Sequence, residues 1–339
     1  MNKSEAGGKA KWYVGIDVSA RELVVALGQQ AANSTLERYA NTAAGQQQLA
    51  QRLRGLRAEA VVVCLEASGN YSLDVALVLA RLGAGVKLQV ANPRRVRRFA
   101  ESLGQRSKTD PVDARVLCQY AERMPLVEWQ APTAAALRLR ALSRTIAALV
   151  RMCTQHKNRQ HALAASDALP ACLVRELEAQ ARYTEKRIAK LRRDAVRLIA
   201  GEPGLARRWH YLLSVPGLGE SSALAVLGEL AVLPDTLDGR QWVAHAGLDP
   251  KHHESGSSIA QKPRISKAGN RYLRAALYMP ALVAVQHDPW LRAFYQRLLD
   301  HGKAKLQALV AVMRKLLHAA WGMFRNDQPY DGAKLCPQA

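Results

Sequence analysis

The chain is poor in acid and poor in cysteine, and it has no long apolar run. Only 28 aspartates and glutamates stand against 49 lysines and arginines in 339 residues, a formal net charge of +21. Protein surfaces normally interleave both signs, so this excess predicts a polyanionic partner, and nucleic acid fits it better than a membrane surface. The five cysteines, Cys64, Cys118, Cys153, Cys172 and Cys336, show no CxxC pair and no zinc-ligand spacing. They read as small apolar residues in a reducing cytoplasm, which argues against a thiolate-held metal and leaves hard, oxygen-bound ions. No apolar run reaches the ~20 residues that span a bilayer. The amino terminus, "MNKSEAGGKAKW", lacks an apolar stretch of signal-peptide length, so a cytoplasmic protein with no membrane partner is expected. No internal repeat and no recognition helix with obvious base-reading side chains stands out.

What is present divides into three stretches. At 49% hydrophobic composition the chain can build two or three domains with proper cores. Up to about residue 125, short apolar runs alternate with helical patterns. "WYVGIDVS", "ELVVALG" and "TLERYAN" predict a strand meander, and "AVVVCLEA" and "VKLQVANP" predict two more strands. "AAGQQQLAQRLRGL" and "SLDVALVLARLG" predict helices between them. This order implies a mixed α/β sheet with helices on its faces. From about Ala134 to Leu198, apolar residues recur at helical spacing, which predicts two long helices turning at "SDALPA" as an antiparallel arm. From about Gly201 the pattern is mostly helical. A "VPGLG" turn and a polar, basic loop in "GLDPKHHESGSSIAQKPRISKAGNRYLR" interrupt it.

Four acids hold positions of chemical interest. Asp17 ends the strand "YVGID", and Glu66 closes the apolar run "VVVCLE", where a carboxylate needs a partner. Asp110 and Asp113 open the helix of "SKTDPVDARVL". That helix start also reads as simple capping, with Asp110 as N-cap, Pro111 in the first helical position and Asp113 as the capping-box acid. Capping does not account for Asp17 and Glu66. A ribonuclease-H-like sheet would gather all four, and such carboxylates hold two divalent ions ~3.5–4 Å apart for phosphoryl transfer. Magnesium suits an all-oxygen site of this kind.

Two basic segments flank this chemistry. "NPRRVRRFAESLGQRSK" offers Arg94, Arg95, Arg97, Arg98, Arg106 and Lys108, either as a solvated charge run or as contacts to a nucleic-acid backbone. Later come Lys262, Arg264, Lys267, Arg271 and Arg274 among Ser255, Ser257, Ser258 and Ser266. A serine there could attack phosphorus, or the loop could simply bind phosphate. In "VPGLG", Gly217 and Gly219 suit a helix-hairpin-helix turn presenting backbone N–H groups to phosphate, and equally a tight structural turn. His252 and His253 are adjacent, a poor metal pair, and are expected at the surface.

Seven segments, "YVGIDVS", "LEASGNY", "NPRRVRRFA", "KTDPVDARVL", "VPGLGESSA", "AGLDPKHHESGSS" and "ISKAGNRYLRAALYMPA", run in an order that resembles the bridge-RNA-guided insertion-sequence transposases over nearly the whole chain. The resemblance implies a RuvC-like DEDD domain over 1–125, with its tetrad on Asp17, Glu66, Asp110 and Asp113. It implies a helical coiled-coil region over 126–200. Over 201–339 it implies a mostly helical transposase domain with a nucleophilic serine at Ser255, followed by Gly256. It further implies Mg2+, two ions with Mn2+ able to substitute, and a covalent serine–DNA intermediate. An element-encoded noncoding bridge RNA would pair with double-stranded donor and target DNA. Composite active sites would join two protomers in a tetramer. A guide RNA would also explain why no protein reading head is visible. The rival expectations are a RuvC-like metal-dependent nuclease without serine chemistry and a non-enzymatic nucleic-acid scaffold.

Overall fold

The β-branched runs "YVGIDV" and "AVVVCLE" become neighbouring strands in the computed structural model, which describes residues 11–56, 58–105, 109–165, 170–255 and 259–335, with 252–255 and 259–263 by backbone alone. The chain divides into two units, Met1–Ala131 and Pro132–Ala339. The first contains β1 (Lys11–Val18), β2 (Glu22–Gly28), β3 (Thr35–Ala40), α1 (Ala43–Arg54), β4 (Ala60–Glu66), α2 (Leu73–Ala80), β5 (Val86–Ala91), α3 (Pro93–Ser102) and α4 (Asp110–Arg123). The sheet order is β3-β2-β1-β4-β5, with β1, β4 and β5 parallel and β2 and β3 antiparallel. This is the mixed sheet expected from the meander and the two later strands.

Strand alternation assigns each residue to one of two helical layers. Val14, Ile16, Val61, Val63 and Leu65 share a cluster with Leu49 and Leu53 of α1 and Val75 and Leu79 of α2. The intervening positions face the other layer: Val62 and Cys64 cluster with Val96 of α3 and Leu117 and Tyr120 of α4. Because both faces are covered, β4 is buried almost throughout, as its unbroken apolar run requires.

On the second face α4 comes unusually close to β1. Ala114, Leu117 and Cys118 line one side of α4 and are fully buried. The Cys118 Sγ–H donates to the Tyr13 carbonyl at 3.3 Å. A Cβ at position 15 would lie 2.1 Å from the Cys118 backbone nitrogen and 2.2 Å from the Ala114 carbonyl oxygen. Only glycine allows helix and strand backbones to meet at this distance.

The second unit is helical apart from one hairpin. It comprises α5 (Ala134–Leu163), α6 (Ala171–Ala200), α7 (Pro203–Leu213), α8 (Glu220–Leu230), α9 (Gly239–Ala246), β6 (Pro250–Ser255), β7 (Ile259–Ile265), α10 (Arg271–His287), α11 (Pro289–Asp300), α12 (Lys305–Asn326) and α13 (Gly332–Leu335). The two 30-residue helices α5 and α6 pack on one another as the expected arm, with Cys153 beside Ala181 and Lys157 paired to Glu185 at 2.6 Å. Most of the turn "SDALPA" lies outside the described residues. Among the described residues no helix is long and apolar enough to cross a membrane.

Two expectations are corrected here. The polar segment read as a loop is a two-stranded antiparallel ribbon, β6 against β7. Its residues are mostly polar and show no run of apolar alternation, so no side-chain pattern announced it. Cys172 is exposed, unlike buried Cys64, Cys118 and Cys153, because it lies near the start of α6, where several successive residues face solvent.

Gly15→Ala is expected to destabilise the first unit by roughly 3 kcal/mol or more through overpacking of backbone against backbone. Gly85→Ala, where a Cβ meets nothing within 4 Å, should be near neutral. Thermal melts of the two variants against wild type check this.

Candidate active site

The strand parity that puts Gly15 against α4 also puts Asp17, two residues on, on the same face. In the parallel β1–β4 ladder the last register pair is Ile16 with Leu65. One step further along that register, Asp17 comes level with Glu66, at the carboxyl ends of both strands. Such edges are where open α/β sheets place their ligands. On α4, Ala114, Leu117 and Cys118 share a face with Asp113 and Asp110 at i, i+3 and i+4 spacing. The contact at Gly15 therefore carries both aspartates toward the strand ends. They also occupy the first turn of the helix, where the helix dipole favours negative charge.

The electrostatics show the convergence. Asp17 is pushed up to about 6, first by burial, then by the charges of Asp110, Asp113 and Glu66, against a hydrogen bond donated by the Val18 N–H. Three acids, the farthest 96 residues away in sequence, thus act on the Asp17 carboxyl. The expected capping role of Asp110 is corrected: Thr109, with extended backbone, is the N-cap, and Asp110 is the first helical residue. The Asp113 N–H donates to the Thr109 carbonyl at 2.9 Å, so Asp113 is fourth in the helix, one place beyond the capping-box position.

Among the described residues no group of three or more His, Cys, Asp or Glu is arranged to hold an ion as it stands. The donor set nevertheless fits a hard divalent cation, being all oxygen and all carboxylate. The nearby thiols offer no alternative, since burial pushes Cys64 and Cys118 up to about 12.

The basic residues distribute as follows. Arg94, Arg95, Arg97 and Arg98 are exposed on α3, where only Val96 is buried, and Arg97 pairs with Glu101 at 3.1 Å. Arg106 and Lys108 lie outside the described residues. Gly217, at φ +95°, has a packing reason for being glycine: a Cβ there would meet the Pro280 carbonyl oxygen at 2.7 Å and the Ala284 nitrogen at 2.8 Å. Gly219 is the N-cap of α8 and faces open space. Lys262 and Arg264 lie in β7, exposed Lys267 lies between the hairpin and α10, and exposed Arg271 is the first residue of α10. Ser255 is the last residue of β6, paired with Ile259. Gly256, Ser257 and Ser258 lie outside the described residues, as do the side chains of His252 and His253.

The base of this hairpin is clamped by a buried polar network that the sequence reading missed. The Ser266 hydroxyl donates to Asp249 at 2.6 Å and the Asn270 N–H to the His245 carbonyl at 2.6 Å. Asn270 caps α10 through its side-chain oxygen and donates through its amide nitrogen to Glu229 at 2.6 Å. Glu229, 1% exposed, accepts a two-pronged ion pair from Arg144 at 2.7 and 2.8 Å. Burial would raise the Glu229 carboxyl, but the hydrogen bonds from Arg144 and Asn270 outweigh it and hold it below the usual range. Burial keeps His245 beside them below its usual value. The signal was present: Glu229 is an acid within the apolar helix "ALAVLGEL", the same anomaly that marked Glu66.

Acids at the carboxyl edge of a mixed sheet are what a metal-dependent phosphoryl-transfer protein would carry, and comparison with known proteins gives the family. A DEDD-type transposase model matches residues 14–166, and the model described as Transposase IS116/IS110/IS902 family matches residues 209–296. The chain is 30% identical over 246 residues to the pilin gene-inverting protein of Moraxella bovis, covering 72% of this chain and 74% of that protein. It is 27% identical over 276 residues to the transposase for insertion sequence element IS1328 of Yersinia enterocolitica, covering 72% and 78%. With the IS1111A transposase of Coxiella burnetii the identity is 25% over 294 residues, covering 74% of each chain. The chain belongs to the IS116/IS110/IS902 family of transposases. It is a DNA transposase, its substrate is DNA, and its DEDD domain implies dependence on a divalent metal.

Two outcomes follow from this geometry. Because Asp17 is raised in the fold, folding takes up a proton between about pH 4 and 6, and that contribution is lost as pH rises through about 6. In metal-free buffer Asp17→Asn should melt above wild type at neutral pH and converge with it near pH 4. Added divalent metal should raise the neutral-pH Tm of wild type more than that of the variant. Melting differences independent of pH would count against the convergence. Separately, Arg144→Ala leaves Glu229 buried without its cation and should cost about 3–5 kcal/mol, read by denaturant titration.

Proposed function

We propose that this chain is an RNA-guided DNA recombinase of an insertion sequence, cutting and rejoining DNA through a covalent phosphoserine link. The observation that carries the reading is the convergence of Asp110, Asp113 and Glu66 on Asp17 at the sheet edge. The mixed sheet and its four acids suit a RuvC-like domain over about residues 1–125. Asp17, Glu66, Asp110 and Asp113 would hold magnesium, which when bound supplies charge neutralisation at the reacting phosphate. Those carboxylates also fix where the scissile phosphate can sit, since an unmetallated edge would repel it.

Ser255 is the proposed nucleophile. Its oxygen forms a bond to phosphorus while a sugar oxygen departs; the serine loses its proton and the departing sugar oxygen gains one. One phosphate ester replaces another, so a second sugar hydroxyl can reverse the step and reseal the strand without ATP. The clamped base of the β6–β7 ribbon supports this role, because a nucleophile needs a fixed approach. A relative named for gene inversion supports rejoining over hydrolysis, since inverting a segment requires that both cut ends be joined again. The +21 charge suits a protein that grips nucleic-acid backbones, and in this reading a bridge RNA supplies the base pairing. A tetramer with composite sites belongs to the same reading.

Wild type, Ser255→Ala and Asp110→Ala, incubated with magnesium, the element's RNA and labelled donor and target DNA, give the test. A denaturation-resistant protein–DNA adduct is expected from wild type and from neither variant. Cleavage without an adduct that survives Ser255→Ala would replace this mechanism with metal-dependent hydrolysis.

A further inference from the structure

A groove in the second unit concentrates positive charge, and among the described residues no lining acid is left to balance it. It has a volume of about 580 Å³ and is formed by α5, α6, α8 and α10. Arg144, Arg151, Arg192 and Arg271 line it. Glu229 is the one acid among the described lining residues, and it is buried and committed to Arg144 and Asn270. Among the described residues Arg151, Arg192 and Arg271 have no ion pair. Glu220, at the start of α8, does not line the groove.

Tyr272 organises these cations. The Arg144 guanidinium lies 4.5 Å from its ring centre and that of Arg271 5.0 Å away, and Arg271 also donates to the phenol oxygen at 3.2 Å. The charges of Arg271, Arg144 and Arg151 all bear on this phenol, which marks their convergence. Ser221 and Ser222, in the first turn of α8, add hydroxyls at a positive helix end. The exposed methyl end of Met279 and the small side chains of Ala147 and Ala275 give the groove an apolar floor.

Holding four guanidinium groups together against one buried carboxylate costs free energy that a bound polyanion would offset. Guanidinium forks match phosphate oxygens two by two, and arginines oriented by an aromatic ring lose less freedom on binding. We propose that this groove binds the phosphodiester backbone of a nucleic acid, with Arg151, Arg192 and Arg271 contacting phosphates and the apolar floor lying under the sugars. The proposal rests on the chain being a nucleic-acid enzyme, as the proposed function requires, but not on Ser255 or the acidic quartet. Duplex DNA and folded RNA share this backbone chemistry, so the test separates them.

The full-length Arg151→Ala/Arg192→Ala double variant and wild type would be titrated, without added metal, with a labelled duplex DNA and with a labelled stem-loop RNA across a range of KCl concentrations. Each lost phosphate contact lowers the slope of log K against log salt by roughly 0.9 for a duplex and 0.7 for a single strand. A decrease of between about 1 and 2 is expected for at least one probe, and which probe loses it identifies the occupant. Lys303→Ala/Lys305→Ala serves as a charge-matched control and should leave both slopes unchanged. Slopes unchanged for both probes in the double variant would overturn the proposal, as would an equal loss in the control pair. A changed sedimentation coefficient with unchanged slopes would also overturn it and make the groove a protein–protein contact. If the alanine variant melts early, Arg151→Gln/Arg192→Gln gives the same reading. Ser255→Ala should keep both slopes while losing the adduct, so failure of the recombinase mechanism and failure of the groove register in different measurements.

Discussion

The first unit depends on one contact, the meeting of the α4 and β1 backbones at Gly15. It buries Ala114, Leu117 and Cys118 against the sheet and fixes the rotation of α4 about its own axis. Once that face is set, the 3.6-residue repeat leaves Asp113 and Asp110 no choice but to emerge on the same side, one turn nearer the strand ends. The two-residue repeat of the strand does the same for Asp17. The acidic quartet is therefore a by-product of packing: the apolar interface that stabilises the unit also aims its carboxylates.

The two units treat charge in opposite ways. At Glu229 the protein supplies its own counter-ion, with Arg144 and Asn270 satisfying a carboxylate taken fully out of water, so that the charge holds a hairpin base in place. At Asp17 it does not: three further acids press on a half-buried carboxyl and the proton stays on until about pH 6. The first arrangement is complete without a ligand. The second is electrostatically unfinished, which is the state expected of a group whose partner arrives from solution. The arginine groove around Tyr272 has the same unfinished character with the sign reversed. The proposed metal and the proposed nucleic-acid backbone would each supply the missing charge, as phosphoryl transfer on nucleic acid demands.

The β6–β7 ribbon shows how a weakly patterned segment acquires a place. Its sequence is mostly polar, yet its base is held through Asp249, Ser266, Asn270 and the His245 carbonyl. The capping of α10 by Asn270 and its bond to Glu229 use one side chain for two tasks. The approach direction of the ribbon thus comes from the helical core beneath it.

Much of the first unit was legible in its sequence because parity and periodicity are local properties. Five strands with their order along the chain, the helices between them, and the acids at strand ends and on a helix face can all be counted off residue by residue. The capping register at Thr109 was missed by one position, since threonine and aspartate are both good cap residues and the choice between them turns on backbone angles. The ribbon was missed because its residues are mostly polar and offer no apolar alternation to count. Glu229, Arg144 and Asn270 lie up to 126 residues apart, and no local pattern ties them together. By itself the sequence determined the alternation that buries one set of side chains and the excess of cations that calls for a polyanion. Only the tertiary structure decided that Gly15 brings α4 onto β1, that three distant acids press on the Asp17 carboxyl, and that Arg144 and Arg271 meet at Tyr272, because each depends on backbones meeting in space and not on spacing along the chain.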